Sequence, residues 1–161
     1  MMLIGRLSKE TGTWWAAEAP VAGVYTQGRS RKHAAAMLAD AFESLINRPG
    51  FKVTVIDEGN GDQVLIEANE PAALAAYVLK YQREVHGLSL AQVAKTLGAS
   101  SRNAYARYEQ GKSAPTLDKF AELLRAVAPE VTLIIGTRKP AIAAPRKRTK
   151  PASASRRGKA A

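Results

Sequence analysis

The sequence predicts an α+β protein: a small N-terminal sheet with one packed helix, then an all-α half, then a basic tail. Three observations carry this. Up to Gly28 there are short runs rich in apolar, aromatic and β-branched residues, and after Ser30 the apolar positions take the three-and-four spacing of a helix. A second pair of alternating runs flanks Gly59-Asn60-Gly61-Asp62, a strong hairpin signal. From Pro71 to about Val127 the apolar residues fall in short helical stripes separated by glycines.

The elements follow in order. Leu3 to Ser8 and Thr13 to Ala19 read as strands around a turn, and Pro20, which cannot donate to a ladder, ends the second. Val24 to Gln27 is β-branched and aromatic, a third strand closed by Gly28. Ser30 caps a helix to about Asn47, with Ala34, Met37, Leu38, Ala41, Phe42 and Leu45 on its buried face, and Pro49-Gly50 stops it. Phe51 to Ile56 and Gln63 to Glu67 complete the sheet. Trp14 and Trp15 are adjacent and so point to opposite faces of a strand. One belongs to the core; the other is covered by loop or helix packing, or anchors a partner.

In the second half Asn69 caps a helix from Pro71 with Leu74, Tyr77, Val78 and Tyr81 as its stripe. Ser89-Leu90-Ala91-Gln92 is a capping box, and the helix it opens runs to Leu97 with Leu90, Val93, Ala94 and Leu97 inward. Gly98 supplies a left-handed turn. Ser100 or Ser101 starts the next helix, Gly111 ends it, and Thr116 caps a last one carrying Leu117, Phe120, Ala121, Leu124 and Val127. Four short helices joined by tight turns make a helix-turn-helix the expected unit. Val131 to Ile135 is a short β-type run that pairs across a dimer or packs back on the body.

Charge divides the 161 residues further. The net +10 looks like a nucleic-acid signature, yet residues 137–161 hold nine bases and no acid. This segment, rich in Ala, Pro and Ser, is expected to be disordered. Residues 1–73 carry seven bases and nine acids, residues 74–136 eight bases and five acids. The expected domains are 1–68, 69–136 and the tail 137–161. With no Cys there is neither a disulfide framework nor a thiolate metal site. No apolar stretch reaches membrane-spanning length, and a soluble, cytoplasmic protein without a membrane partner is expected.

Two stretches are familiar. Arg83-Glu-Val-His-Gly-Leu-Ser-Leu-Ala-Gln-Val-Ala-Lys-Thr-Leu-Gly98, followed by Tyr105-Ala-Arg-Tyr-Glu-Gln-Gly-Lys-Ser-Ala-Pro-Thr-Leu117, resembles the Cro and lambda-repressor-like (XRE) helix-turn-helix family. The resemblance implies a structural ion pair between Arg83 and Glu109, and DNA contacts from Leu90, Ala91, Arg102, Asn103, Ala106 and Arg107. The family commonly has Gln where Leu90 stands, and the segment between Gly98 and Glu109 is slightly longer than usual. Arg can fork onto guanine and Asn onto adenine in the major groove. Upstream, Gly12-x-Trp14-Trp15-Ala16-x-Glu18-x-Pro20 and Gly23-Val24-Tyr25-Thr26-Gln27-Gly28 resemble the HicB antitoxin family, which implies a partial RNase H-like N-terminal domain. That family tends to place acids at the start of the following helix; here Arg31, Lys32 and His33 stand there.

No catalytic set is evident. RNase H chemistry needs converging carboxylates on metal ions, and the first strand has none. Asp57, Glu58 and Asp62 read as a solvated turn; His33 reads as exposed near a helix start and His86 as lying at a helix end. No metal, cofactor or enzymatic activity is expected. Together the resemblances imply a type II antitoxin that binds a small HicA-like ribonuclease toxin through Trp14, Trp15, Glu18 and Tyr25. It would repress its own operon as a homodimer or higher oligomer on palindromic DNA. The alternative is a stand-alone transcription regulator whose N-terminal domain senses a ligand or dimerises.

Overall fold

A computed structural model describes residues 1–59, 61–99 and 101–134, and the fold is α+β as expected. The expected disordered tail, Ile135, Asn60 and Ser100 lie outside the described residues. Strands β1 (Met2–Lys9), β2 (Trp15–Ala19) and β3 (Val24–Gly28) form a meander, with a 3₁₀ turn at Pro20–Ala22 before β3. Helix α1 (Arg31–Ile46) follows, then strands β4 (Val53–Ile56) and β5 (Gln63–Ala68). The sheet order is β3-β2-β1-β5-β4 and every pairing is antiparallel.

The period of two places Leu3, Leu7, Ala17, Ala19, Val24, Val53, Val64 and Ile66 on one buried face. Helix α1 crosses that face between the two sheet edges, burying Ala34, Leu38 and Phe42. Its N-cap is Ser30, whose hydroxyl accepts from the His33 amide, and its C-cap is Asn47 in the left-handed region at φ 43°. The strand-to-helix junction is close because Gly28 has no Cβ. One added there would collide with the backbone of His33 and Ala34.

Several expectations need correction. Leu45 is exposed, and Ile46 packs against the core in its place. The second strand starts at Trp15, since Trp14 closes the turn by accepting from the Glu10 amide. Neither tryptophan is fully buried. Trp15 packs partly against the core under the Arg31 guanidinium, 5.3 Å above its ring, while Trp14 stays 41% exposed with Arg29 at 5.9 Å. Asp57 is more than a solvated turn residue. It accepts two hydrogen bonds from Arg31, at 2.6 and 2.8 Å, and Arg31 also reaches the Gly61 carbonyl. A cation in the first turn opposes the helix dipole. Here Asp57 compensates it, and the bonded guanidinium holds the Asp57 carboxyl below its ordinary range.

Helix α2 (Pro71–Val85) joins this sheet to α3 (Leu90–Thr96), α4 (Arg102–Glu109) and α5 (Leu117–Val127). Asn69 does not cap α2. Its side chain accepts from the Lys52 amide and donates to the Gly50 carbonyl, leaving Glu70 as the N-cap residue. Besides the expected stripe, α2 buries Ala73, Ala75, Ala76, Leu79 and Gln82. It therefore packs on both sides. Tyr77 meets Phe42 of α1 edge-to-face at 6.3 Å, and the Gln82 amide donates to the Val21 carbonyl at 2.7 Å. The buried residues of both halves form one continuous cluster.

Candidate nucleic-acid interface

The helix-turn-helix is assembled from local signals. Ser89 and Gln92 form a reciprocal capping box at the start of α3. Gly98, at φ +65°, makes the turn, and the Ser101 hydroxyl accepts from the Asn103 amide to open α4. Gly111, also at φ +65°, closes α4, and Thr116 caps α5. Leu117 was expected inward but is exposed; Leu123 fills the buried face of α5 instead.

A buried ion pair fixes α4 against α2. Arg83 donates to both carboxylate oxygens of Glu109, at 2.7 and 3.0 Å, and to the Leu88 carbonyl at 2.9 Å. Side-chain exposure is 14% for Arg83 and 6% for Glu109. Hydrogen bonding to Glu109 raises the guanidinium pKa, a direction that keeps Arg83 ionised. Beside it, the Tyr105 hydroxyl is buried with no hydrogen-bond partner among the described residues. Burial, with the Glu109 carboxylate near, pushes its phenol far above the ordinary value. Tyr105→Phe should therefore leave urea stability unchanged or raise it by up to about 1 kcal/mol. A clear loss would show that the hydroxyl is bonded in solution.

The expected contact positions divide. Ala91, Arg102, Asn103 and Arg107 are exposed. Ala106 is 7% exposed and lies beside Tyr105 on the inward face of α4, so it cannot meet DNA. Leu90 is partly buried against the core rather than presented outward. Ala104, Lys95, Thr96 and Lys112 share the exposed surface, and sequence reasoning did not single them out. For the two lysines the signal was charge: residues 88–113 contain Lys95, Arg102, Arg107 and Lys112 against one acid, Glu109, which Arg83 engages. Among the described residues none of these four cations forms an ion pair. Arg102 and Asn103 occupy the first turn of α4, the end of a second helix that enters the major groove in this motif.

Of the residues expected to meet a protein partner, Trp15, Glu18 and Tyr25 lie on the sheet and Trp14 in the turn before β2. Glu18 and Tyr25 are opposite one another in register and share its outer face with Arg6, which meets Glu18 at 3.4 Å. Tyr25 is 64% exposed, and Trp14 lines the same shallow groove. Trp15 is on the inner face and does not join them. His33 is exposed, and its Nδ1 accepts from the Arg29 amide. His86, at the end of α2, places Nε2 3.0 Å from Glu130 and Nδ1 2.7 Å from the Gln82 carbonyl. No group of three or more His, Cys, Asp or Glu side chains suited to a metal ion occurs among the described residues. No helix there is long and apolar enough to cross a membrane.

No curated protein and no solved structure matches this chain. Residues 79–127, from the middle of α2 to the end of α5, match the helix-turn-helix family model, so this part of the chain is a helix-turn-helix domain of the type found in DNA-binding transcription regulators.

Proposed function

We propose that the chain is an antitoxin-type repressor: the helix-turn-helix reads operator DNA, and the N-terminal sheet binds a small HicA-like ribonuclease toxin. The DNA half rests on the free cationic end of α4, where Arg102 and Asn103 project from the first turn with no acid beside them. Arg102→Ala and Asn103→Ala should each weaken operator binding by roughly 1 to 3 kcal/mol, read by gel shift against a scrambled duplex. Unchanged affinity in both variants would remove α4 from base reading.

The toxin half rests on the exposed Trp14 and Tyr25 of the outer sheet groove, since such aromatics dominate protein interfaces. Residues 1–73 carry two more acids than bases, a sign suited to a basic, RNA-binding protein. Inhibition would then be occlusion of the toxin's RNA surface. The N-terminal half works by binding rather than by catalysis: β1 offers no carboxylate, and Asp57 is engaged by Arg31. Co-expression with short neighbouring reading frames should yield a stable complex that Trp14→Ala and Tyr25→Ala weaken at least tenfold. Failure to capture any small basic neighbour favours the second reading, a stand-alone regulator. One observation speaks for that reading: α2 is packed between both halves, so a ligand on the sheet side would be felt by α4.

A further inference from the structure

Most of the charge of this chain lies outside the helix-turn-helix. Residues 137–161 hold nine of the 24 bases and no acid, in three clusters at 138–139, 146–150 and 156–159. Everything before them is close to neutral, with 15 bases against 14 acids, and residues 74–136 hold eight bases against five acids. Ile142 is the one large apolar residue of the segment, which has no aromatic residue. Such a composition has nothing to fill an apolar pocket; what it can recognise is a run of negative charge.

The fold decides which polyanion is at hand. After α5, Val131 packs on the core, and Leu133 and Ile134 line one groove with Ala114, Pro115, Thr116 and Leu117. These four belong to the connection from α4 to α5, which is folded back on α4: the amides of Lys112 and Ser113 both bond the Arg107 carbonyl, at 2.9 and 3.3 Å. Arg107 and Lys112 are exposed and form no ion pair among the described residues. The basic segment is therefore tethered beside the exposed cations at the end of α4. A duplex held by α4 brings its phosphates to that tether at a high effective concentration, whereas a membrane or an RNA must be met from bulk solution.

We infer that residues 137–161 are a second DNA-binding arm, indifferent to sequence, which neutralises phosphates of the duplex flanking the site that the helix-turn-helix reads. The inference rests on the DNA half of the proposed function and needs nothing of the toxin half. At about 3.3 Å per residue the arm reaches at most about 80 Å, enough to follow about 20 base pairs of flanking duplex. Lys and Arg on phosphates position and strengthen binding but carry no sequence information. The division of labour follows: α4 chooses the site, and the arm supplies affinity that the weakly positive helix-turn-helix half lacks.

The full-length chain and a chain lacking residues 137–161 test this side by side. A site selected by the full chain from a random duplex pool is offered bare and with about 20 base pairs of arbitrary sequence on each side. The flanks should raise the affinity of the full chain at least about tenfold and leave the shortened chain unchanged, while both prefer the same site. If four of the nine bases meet phosphates at once, raising salt from 50 to 200 mM should cost the full chain about 100-fold more affinity than the shortened one. The quadruple variant Arg146→Gln, Lys147→Gln, Arg148→Gln, Lys150→Gln should show an intermediate salt effect, since it keeps the length and removes charge. Equal gain from the flanks in both chains, tighter binding by the shortened chain, or a changed site preference would each overturn the inference and leave the helix-turn-helix in place. So would tighter binding of the full chain to phosphatidylglycerol vesicles than to an arbitrary duplex at equal phosphate concentration, which would assign the arm to a membrane surface. If the full chain selects no site at all, the DNA half of the proposed function falls, and this inference with it.

Discussion

Arg83→Ala should cost about 3 to 5 kcal/mol of stability, a large share of the roughly 5 to 15 kcal/mol that holds an ordinary domain folded. The reason is what remains behind. The Glu109 carboxyl would be left in a site where its side chain is 6% exposed, with the one cation that bonds both of its oxygens removed. The Leu88 carbonyl would lose its donor as well. Urea unfolding followed by circular dichroism reads the loss, and operator binding should fall with it because the pair anchors the end of α4. Replacing both partners by apolar residues of similar volume, Arg83→Met with Glu109→Leu, should recover most of the stability. A loss below about 1 kcal/mol in the single variant would mean that water reaches Glu109 freely.

Gly28→Ala should lose about 3 kcal/mol, at the upper end of ordinary overpacking. The added methyl would meet backbone atoms of His33 and Ala34, which no side-chain rotation can move aside, so α1 must lift from β3. Gly12 makes a useful contrast. Its backbone is left-handed at φ +74°, but nothing surrounds its Cβ position, so Gly12→Ala should cost only about 1 kcal/mol of conformational strain. Thermal melts of the two variants side by side separate the effect of space from that of dihedral angle. Equal losses would show that α1 yields without cost.

Which elements form was legible in the sequence because the signals for them are local. Ser30, Ser89, Ser101 and Thr116 each occupy the capping position that their hydroxyl chemistry suits, and Gly98 and Gly111 sit where the backbone is left-handed. The strand order was not legible. That β5 lies beside β1 while β4 takes the edge depends on pairing between residues such as Gly5 and Val64, which are far apart in the chain. Helix α2 shows a related limit: its second buried face is built largely from Ala73, Ala75 and Ala76, which give no hydrophobic stripe. In the candidate interface Ala106, carried over from the family resemblance, is inward, and Ala104 is outward. Asn69 had the chemistry of a cap, but the neighbouring Lys52 amide and Gly50 carbonyl compete for its side chain.

The double-sided burial of α2 means that the unit of stability and the unit of recognition have different borders. A cut after residue 70 would remove from the sheet the helix that holds Phe42 and the Val21 turn. It would leave the DNA-reading fragment with an apolar flank turned to water. The chain is thus expected to melt in one transition, with neither half surviving the loss of the other.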